Sequence, residues 1–468
     1  MSAGDPGPRV VVVGGGLAGL SAAVACADGG AAVTLLEGRP RLGGATWSFN
    51  RKGLAFDNGQ HVHLRCCEAY RGFLLRLGTS HLAPFDGPLA IPVLRPASSG
   101  GGAPATAWIR RDDLPAPLHL GRSLLSYRHL SPLDRLRLPP AAFGLRNARL
   151  DDPRLDTLTF GEWLRSHGQS DRAIERLWDL ITLPTTNLRA REVSLSLAAK
   201  VFRTGLLTDT SAADIAWSAV PLAELHVEPA RRLLESLGAE IRLKARVTEL
   251  VLAGRGAVRG VATEDGILEA EAVVLAVPHE AAAQLLPPPA VTAGRAADLR
   301  LLGTSPIVNV HIVFDRKVME HRIAAAVDSP VQFVFDRTRA AGMDPTDGQV
   351  VAISLSGADV EIGQRPEVLI DRQLEAFRTL FPLARRAEVV DAVVTREHDA
   401  TFRGVPGTRS LRLGARTAIP NLALAGAWTD TGWPATMEGA VRSGRAAADV
   451  ALASLGHTRT PDAEEVIA

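Results

Sequence analysis

The sequence is poor in cysteine and lysine, and it has no long apolar run. Its 468 residues include only three cysteines, Cys26, Cys66 and Cys67. They lack the CxxC spacing of a metal or redox site, and adjacent cysteines rarely bridge each other, so neither a metal site nor a disulfide framework is expected. No stretch reaches the ~20 apolar residues of a membrane span, and the polar start does not resemble a secretory signal. We therefore expect a reduced, cytoplasmic protein.

The chain also lacks an excess of charge of either sign. Its 52 basic and 51 acidic residues leave a formal net charge of +1, which gives no electrostatic case for a nucleic-acid partner. A hydrophobic content of 46% and a charged content of 22% are ordinary for a globular protein. The length is sufficient for two domains with a large core.

The informative feature is a glycine pattern close to the start. A buried strand over residues 10–13 leads into Gly14-x-Gly16-x-x-Gly19, and an alanine-rich helix is predicted over 17–27. Gly14 permits a tight turn, Gly16 lets a pyrophosphate approach the backbone, and Gly19 lets the helix lie close to the strand. The helix N-terminus then presents free N–H groups to the phosphates. This pattern predicts a dinucleotide-binding fold.

The next residues specify which dinucleotide is expected. A second strand, 32–36, ends in Glu37, where a carboxylate accepts hydrogen bonds from adenosine ribose hydroxyls. The same negative charge disfavours a 2′-phosphate, so NADP is not expected. The doublet Gly43-Gly44 next to Arg41 favours FAD over NAD.

The remaining periodicity divides the chain into a discontinuous nucleotide domain and a substrate domain. We predict an α/β fold: a Rossmann-like FAD-binding domain of the glycine-doublet type from residues 1–75, 228–286 and 413–455. The inserted α+β substrate domain, with its helical region, covers 76–227 and 287–412, and 456–468 form a flexible tail. Predicted strands cover 241–243, 247–252, 258–263, 272–277, 307–314, 349–355, 387–394 and 422–425. Predicted helices cover 68–77, most of 118–227, 367–380 and 438–452, with a loop tip at 98–102.

Four motifs resemble a known flavoprotein family. They are Gly43-Gly-Ala-Thr-Trp-Ser-Phe49, Asp57-Asn-Gly-Gln-His-Val62 with Cys66-Cys67 and Tyr70, Ser305-Pro-Ile-Val-Asn-Val-His311, and Ala425-Gly-Ala-Trp-Thr-Asp-Thr-Gly-Trp-Pro-Ala-Thr-Met-Glu-Gly-Ala440. Together they resemble the flavin amine oxidase and phytoene desaturase family over nearly the whole chain. Within it, they are most similar to the hydroxysqualene dehydroxylases, also described as squalene-associated FAD-dependent desaturases.

The resemblance implies a set of FAD contacts. The Val247 backbone should contact the adenine, while Gly426 and the 436–440 turn should lie along the pyrophosphate, ribityl chain and flavin. The position after Gly426 is usually acidic in the family and is Ala427 here, so Asp430 is an alternative for the ribityl hydroxyls. The predicted cofactor residues are Gly14, Gly16, Leu17, Ala18, Gly19, Glu37, Gly38, Arg39, Arg41, Gly43, Gly44, Ala45, Thr46, Val247, Gly426, Met437, Glu438 and Gly439.

The same resemblance suggests where catalysis takes place. Gln60 and His61 should lie near the reactive edge of the flavin, and His61 is either catalytic or a hydrogen-bonded structural histidine. Asn309 and His311, two apart on one strand, face the flavin or satisfy each other. Predicted catalytic residues are His61, Gln60, Asp430 and Asn309. Predicted pocket residues are Trp47, His311 and Trp433, although Trp47, Trp428 and Trp433 could equally be ordinary core.

The implied reaction is reductive removal of a hydroxyl from an allylic C30 alcohol. An acid must assist the poor leaving group, with His61 the leading donor and Asp430 the next. Electrons would come from a separate reductase or free reduced cofactor, and an upstream synthase of the squalene pathway is a further expected partner. The alternatives are an oxidative polyprenoid desaturase or isomerase, an amine oxidase, and a flavin-binding scaffold without catalysis. The amine oxidase is disfavoured because those enzymes usually carry a lysine on the strand that faces the flavin, whereas the 307–314 strand carries none.

A C30 substrate partitions into bilayers, so peripheral association with the cytoplasmic membrane is expected. Residues 124–149 mix apolar side chains with Arg128, Arg135, Arg137, Arg146 and Arg149. Such a stretch suits an anionic lipid surface. It is equally a solvated helical face whose arginine stems cover apolar surface.

Overall fold

The computed structural model describes residues 7–97, 102–254, 256–288, 290–291 and 293–458. Residues 98–101 of the predicted loop tip at 98–102 and residues 459–468 of the predicted tail lie outside these ranges. The strands are β1 Arg9–Val13, β2 Ala32–Glu37, β3 Ser48–Arg51, β4 Leu54–Asp57, β5 Val62–Leu64, β6 Ala90–Arg95, β7 Ala105–Arg110, β8 Ile215–Trp217, β9 Glu240–Leu243, β10 Glu249–Leu252, β11 Val258–Thr263, β12 Gly266–Glu269, β13 Ala272–Leu275, β14 Thr304–Phe314, β15 Ile323–Ala326, β16 Phe333–Asp336, β17 Gln349–Ser356, β18 Val389–Phe402 and β19 Leu422–Leu424.

Helices form the second layer of each domain. They are α1 Leu17–Asp28, α2 Glu68–Arg76, α3 Gly121–Leu125, α4 Pro132–Leu136, α5 Leu138–Arg146, α6 Phe160–Ser166, α7 Asp171–Ala173, α8 Asp179–Thr186, α9 Leu195–Phe202, α10 Glu228–Ser236, α11 His279–Leu285, α12 Ala293–Asp298, α13 Pro366–Leu380, α14 Thr408–Leu411 and α15 Met437–Ser454. Three π-helical turns, Ile174–Trp178, Arg203–Leu207 and Ala223–Val227, adjoin α8, α9 and α10.

A five-stranded parallel sheet forms the centre of the first domain. Its order is β19-β13-β1-β2-β9, so strands from the start, middle and end of the chain pair with one another. Val11 in β1 lies opposite Thr34 in β2 on one side and Val273 in β13 on the other. The predicted α/β architecture is confirmed, because apolar strands buried on both faces need helices or further strands to cover them.

Close helix packing covers one face of this sheet. Helices α1, α10 and α15 pack together on it, and the antiparallel strands β10-β11-β12 cover the other face. Gly444 lets α15 approach α1, since a Cβ there would stand 2.3 Å from the carbonyl oxygen of Ala18. The glycine turn is therefore held between the sheet and the last helix.

The second domain is built on a seven-stranded mixed sheet. Its order is β18-β14-β17-β16-β15-β6-β7, and only the β15–β6 pair is parallel. Helix α13 packs on it, with Phe377 stacked on Phe314 of β14 at 5.6 Å between ring centroids. Helices α3 to α9 form a separate apolar core beside β6 and β7.

The structure differs from the sequence prediction at several strands. Strands β3 to β7, β12, β15 and β16 were not predicted, and β8, which pairs with β5, interrupts the predicted helical region. β18 begins later than predicted and continues to Phe402. As an edge strand it has mostly half-exposed side chains, so its second half lacks the apolar pattern that identifies buried strands. Val247 precedes β10 instead of opening it. Among the described residues, no helix has the length and apolar character needed to cross a bilayer.

Candidate functional site

The glycine turn between β1 and α1 leaves a helix N-terminus without a protein partner. Gly14 has φ +107°, and Gly19 lies so close to it that a Cβ would stand 1.8 Å from the Gly14 carbonyl oxygen. Above Gly16, in contrast, a Cβ would meet no atom nearer than 3.7 Å. Among the residues that the structure describes, no side chain caps α1, and the first turn of α1 has no acidic residue. The backbone amides of Leu17 and Ala18 are thus available to an anion.

Glu37 stands at the end of β2 beside this turn. Its Oε2 accepts a hydrogen bond from the Gly15 amide at 2.7 Å, and its Oε1 accepts one from the Arg39 amide at 2.7 Å. These bonds orient a half-buried carboxylate at the mouth of the glycine turn, with its remaining lone pairs free for ribose hydroxyls. Gly38 and Arg39 are exposed at the rim of the same turn.

The glycine doublet packs directly on the first turn. The Gly43 amide donates to the Gly15 carbonyl oxygen at 2.9 Å, and Gly43 and Gly44 have φ of +104° and +56°. A Cβ on Gly44 would stand 2.9 Å from the Gly16 Cα, so the backbones approach closely. The Arg41 guanidinium lies 4.0 Å over the Trp47 ring. The two predicted glycine motifs therefore meet in one cradle.

Asn58 connects this cradle to the second domain. Its side chain accepts from the Trp47 amide at 3.0 Å and donates to the Ala45 carbonyl at 2.8 Å and to Glu397 at 2.7 Å. Glu397 also accepts from the Trp47 indole N–H at 3.1 Å. Trp47 is thus fixed by hydrogen bonds at both its backbone and its ring.

The turn after Asn58 contains the predicted reactive groups. The Asn309 side-chain NH₂ donates to the Asn58 carbonyl oxygen at 3.2 Å, which brings β14 against the turn. The Asn309 Oδ1 and the Gln60 Nε2 are both buried without a hydrogen-bond partner in the described chain. Buried polar atoms without partners are rare, and each needs a ligand or water to satisfy it.

His61 is neutral and has a defined tautomer. Its Nδ1 lies 3.0 Å from the Gly59 carbonyl oxygen, and because that oxygen can only accept, Nδ1 carries the proton. Burial lowers the pKa of His61 below its ordinary value, only partly offset by the hydrogen bond to Gly59. Its Nε2 is therefore an acceptor in the neutral ring, and His61 can donate from Nε2 only as the imidazolium.

The other predicted pocket residues differ in how they are packed. His311 is fully buried, edge-on to Phe56, with its Nε2 3.4 Å from the Thr395 hydroxyl, and burial lowers its pKa to about 3. Asn309 and His311 thus share a face without bonding to each other. Trp428 belongs to the core, with its indole N–H donating to Val277. Trp433 is half-exposed and is the better candidate for a pocket wall.

The start of the last helix is fixed by its own cap and by a buried carboxylate. Thr436 caps it by accepting from the Gly439 amide at 3.2 Å, so that amide is already bonded. The Glu438 carboxylate is fully buried and accepts from the amides of Ala69 and Tyr70 at the start of α2, and from Arg442. The Glu438 side chain is thus occupied within the protein, and the predicted contacts of Met437, Glu438 and Gly439 with the flavin, which rest on their backbone amides, stay a prediction. The amides of Met437 and Glu438 remain for the flavin.

Three further predicted contacts lie at the edges of the cradle. Gly426 has φ +142°, and its amide donates to the Ser443 hydroxyl at 2.9 Å. Val247 is buried beside the parallel sheet, and its amide has no hydrogen-bond acceptor among the described residues. Asp430 is exposed and accepts from the Gly432 amide at 3.3 Å. Its predicted proton-donor role stays a prediction.

Besides Glu397, two groups that support the site were not predicted. Tyr70 donates to His226 Nδ1 at 3.1 Å, His226 Nε2 lies 2.9 Å from the Thr46 hydroxyl, and Thr46 donates to the Gly43 carbonyl at 2.9 Å. Burial lowers the pKa of His226 to about 3, so this chain of bonds holds a neutral ring behind the doublet. No local motif marks His226, which lies 180 residues from Thr46.

Lys200 is the second unpredicted group. Its ammonium lies 4.8 Å over the Trp433 ring, whose surroundings also include Arg442 at 5.0 Å. Burial lowers the Lys200 pKa. Lysine is scarce in this sequence, with four in the whole chain, and this scarcity is the one sequence feature that could have singled out Lys200.

These features fit FAD. The uncapped α1 amides and the open space at Gly16 suit the pyrophosphate, and Glu37 suits the adenosine ribose. The free Val247 amide suits the adenine, while the unpaired Gln60 and Asn309 atoms suit a flavin or substrate beyond the doublet. Among the described residues, no cluster of three or more candidate ligands for a metal ion is present.

Comparison with known proteins agrees with this geometry. A family model described as flavin containing amine oxidoreductase matches residues 17–452. The chain is 29% identical to a hydroxysqualene dehydroxylase from Sinorhizobium fredii, over 95% of this chain and 98% of the relative. It is 26% identical to a probable zeta-carotene desaturase from Synechococcus elongatus, over 95% and 98%. An oxidoreductase structure from Methanosarcina mazei superposes with a TM-score of 0.72 at 18% identity, covering 93% of this chain and 98% of that one.

The family match covers most of the chain and includes every part of the cradle except β1 and the residues from Gly14 to Gly16. The curated relatives match over nearly their full length, so the whole architecture is shared and not the nucleotide-binding segment alone. The chain therefore belongs to the flavin-containing amine oxidoreductase family and is an FAD-dependent oxidoreductase.

Proposed function

We propose that this enzyme converts hydroxysqualene to squalene by reductive dehydroxylation, within squalene and hopanoid biosynthesis. The observation that carries the proposal is the end-to-end similarity to a hydroxysqualene dehydroxylase. The site supports it, because the unpaired Gln60 and Asn309 atoms can recognise a substrate hydroxyl by hydrogen bonding.

The reaction breaks a carbon–oxygen bond and forms a carbon–hydrogen bond. When bound and reduced, FAD supplies the hydride, and the hydroxyl leaves as water after taking up one proton. The Gln60 amide can donate a hydrogen bond to the departing oxygen, which stabilises the charge that develops there. The neutral His61 ring can accept from the substrate hydroxyl and orient it.

Protonation by His61 requires its imidazolium form. An ordinary histidine with a pKa of 6.5 is about one-quarter protonated at pH 7. Because burial lowers the His61 pKa, its protonated fraction at pH 7 is smaller still. We therefore expect turnover to rise as the pH falls from 8 to 6, and His61→Gln to flatten that profile. If His61→Gln left the dependence of turnover on pH unchanged, another group would have to protonate the leaving hydroxyl.

Anaerobic single turnover tests the reaction directly. Dithionite-reduced protein is mixed with hydroxysqualene, while flavin absorbance reports reoxidation and mass spectrometry reports squalene. The proposal predicts one squalene formed for each flavin reoxidised. Flavin that stays reduced in the presence of the alcohol would contradict it and favour a flavin-binding scaffold without catalysis.

A second candidate is oxidative desaturation of a polyprenoid. The similarity to a probable zeta-carotene desaturase favours it specifically. The same protein in its oxidised form would then be bleached by phytoene or zeta-carotene under anaerobic conditions. An amine oxidase activity has less support, since β14 carries Asn309 and no lysine.

The electron source completes the proposal. We infer a separate reductase or free reduced cofactor as the donor, since the sequence contains no second glycine-rich nucleotide motif. An upstream synthase of the same pathway is the expected source of the alcohol. Steady-state turnover that requires an added reductase, and not NAD(P)H alone, would support this arrangement.

A further inference from the structure

A group of large apolar side chains is exposed on the helical region, far along the chain from the cradle motifs. We call it the arginine-leucine surface: Leu114, Leu118, Leu125, Leu133, Leu136 and Phe143, which are 50%, 61%, 62%, 55%, 69% and 51% exposed. Successive elements from Leu118 through α3, α4 and α5 pack on one another, so these side chains belong to one region. Exposed apolar groups concentrated in this way mark an interaction surface.

The exposure is not a defect of core packing. In α5, Leu138, Ala141 and Leu145 face the core at helical spacing, while Phe143 lies on the opposite side. In α4, Leu133 and Leu136 are three apart and share the outer face, while Asp134 is buried. The inner side of both helices is therefore complete without the outward apolar residues.

The local charge is of one sign. Residues 114–150 contain six arginines, and only one acidic residue, Asp134. Asp134 is 7% exposed and is held by hydrogen bonds with the hydroxyls of Ser131 and Ser170. Two copies of this surface placed face to face would repel each other. Of these arginines, Arg149 is paired with Asp151 at 3.5 Å, whereas the exposed Arg128 and Arg137 have no carboxylate partner among the described residues. An apolar surface that carries such arginines complements an anionic bilayer.

The surface is also held in place before any partner binds. Ser131 and Asp134 form a capping box at the start of α4, and the Arg135 guanidinium donates to the Leu125 carbonyl at 2.5 Å. This contact joins the end of α3 to α4 and keeps Leu125 beside the α4 leucines. Arg135 is thus committed to the fold, whereas Arg128 and Arg137 are exposed.

We propose that the arginine-leucine surface docks the enzyme on anionic membranes. Leu125, Leu133, Leu136 and Phe143 enter the acyl boundary, and the neighbouring arginines bind lipid phosphates. The proposal goes beyond the redox function, because it holds whichever isoprenoid the enzyme takes. Docking of this surface would also place the enzyme at the bilayer, in which an isoprenoid substrate is dissolved.

Vesicle flotation tests the apolar contribution. The FAD-loaded protein is mixed with vesicles of phosphatidylcholine alone, or with about one-third phosphatidylglycerol, and the bound fraction is measured. Leu133→Ser/Leu136→Ser should lower partitioning into the anionic vesicles by about tenfold or more. The matched control is Leu301→Ser/Leu383→Ser, which alters leucines that are 68% and 53% exposed elsewhere on the molecule. It should partition like the wild type.

Charge reversal tests the electrostatic contribution. Arg128→Glu/Arg137→Glu should lower partitioning into anionic vesicles by about tenfold or more, and raised salt should weaken wild-type binding. The control, Arg232→Glu/Arg259→Glu, makes the same change of net charge at exposed positions on the nucleotide domain. Circular dichroism and flavin content verify folding of each variant, independently of turnover.

Two outcomes would overturn the proposal. One is that the wild-type protein does not float with anionic vesicles, or that the variants of the arginine-leucine surface float as well as the wild type and the control variants. The other is a concentration-dependent oligomer that Leu133→Ser/Leu136→Ser abolishes without affecting flotation, which would assign the surface to a protein partner.

Discussion

At the scale of single residues, Glu37 and Gln60 differ in whether their polar side-chain atoms already have hydrogen-bond partners. Glu37 already has backbone partners at both carboxylate oxygens. The Gln60 amide, in contrast, has a buried nitrogen with no acceptor in the described chain. A buried unsatisfied donor costs about 1–3 kcal/mol. Such a cost is expected where a group is held ready for a ligand.

This cost leads to a prediction for Gln60→Leu. Removing the unpaired amide should leave the unfolding free energy of the FAD-free protein unchanged or raise it by about 1 kcal/mol, while turnover falls at least about tenfold. The control is Gln349→Leu, since Gln349 is buried and bonds to Val318, Met319 and Asp336. That change should destabilise the protein by several kcal/mol. Urea unfolding measures the stability of both variants, and single-turnover kinetics measures their rates. A Gln60→Leu enzyme that reacts at the wild-type rate would exclude Gln60 from the reaction.

A second residue-scale prediction concerns cofactor affinity. Glu37→Gln removes the charge that suits ribose hydroxyls, and its NH₂ group conflicts with one of the two backbone amides now bonded to the carboxylate. We expect the Kd for FAD to rise about tenfold or more, measured by titrating the FAD-free protein. Glu240→Gln, on the neighbouring strand β9, changes an exposed carboxylate paired with Arg242 and should leave the Kd unchanged. Equal Kd values for wild type and Glu37→Gln would place the ribose elsewhere.

At the scale of elements, the cradle depends on how closely α1 and α15 approach. Gly444 sits at their crossing, where a Cβ would stand 2.3 Å from the Ala18 carbonyl oxygen and 2.9 Å from the Ala22 amide nitrogen. Both are backbone atoms of α1, so a larger residue can be accepted only if the helices separate. The predicted cofactor contacts include the N-termini of both helices, so the spacing of α1 and α15 should affect FAD binding as well as stability.

Gly444→Ala should therefore be destabilising, although alanine is the better helix former. The overpacking cost of about 1–3 kcal/mol exceeds the gain of about 1 kcal/mol in helix propensity. Gly294→Ala is the opposite case: this helical glycine is exposed, with no atom within 4 Å of the added Cβ, and the change should be neutral or stabilising. Thermal unfolding with and without FAD measures both. A Gly444→Ala protein more stable than wild type would show that the helices are not in close contact.

At the scale of the whole molecule, buried neutral histidines tie the fold to pH. Burial lowers the pKa values of His226 and His311 to about 3, from 6.5. Between pH 3 and pH 6.5 the unfolded chain binds protons at these two histidines that the folded chain does not. Their contribution to the free energy of unfolding is therefore fully present above pH 6.5 and is lost as the pH falls toward 3. Each histidine should contribute about 1.4 kcal/mol per pH unit to that loss.

The pH dependence of unfolding tests this account. His226→Gln should reduce the slope of unfolding free energy against pH between about 6 and 4 by about 1.4 kcal/mol per unit. His81→Gln, at an exposed histidine, serves as the control and should keep the wild-type slope. A His226→Gln slope equal to that of the wild type would mean that the buried ring already carries a proton.

Much of the fold and cofactor site followed from sequence because the deciding contacts are local. Strand β1, the glycine turn, α1 and Glu37 lie within thirty residues, and glycine spacing together with apolar periodicity describes them without reference to the rest of the chain. The parallel architecture and the FAD requirement were predictable for the same reason. The second half of the edge strand β18 and the short strand β12 were not, since neither has a buried face long enough to leave an apolar pattern.

Tertiary structure decided which polar groups have partners. The Glu438 carboxylate is taken by the start of α2, His226 stands behind Thr46, and Asn309 reaches the turn that carries Gln60 and His61. Each contact joins segments that are 180 to 369 residues apart. A hydrogen bond depends on positions set by every intervening element, so a residue's type and neighbours in sequence do not reveal whether its polar atoms are satisfied or left for a ligand.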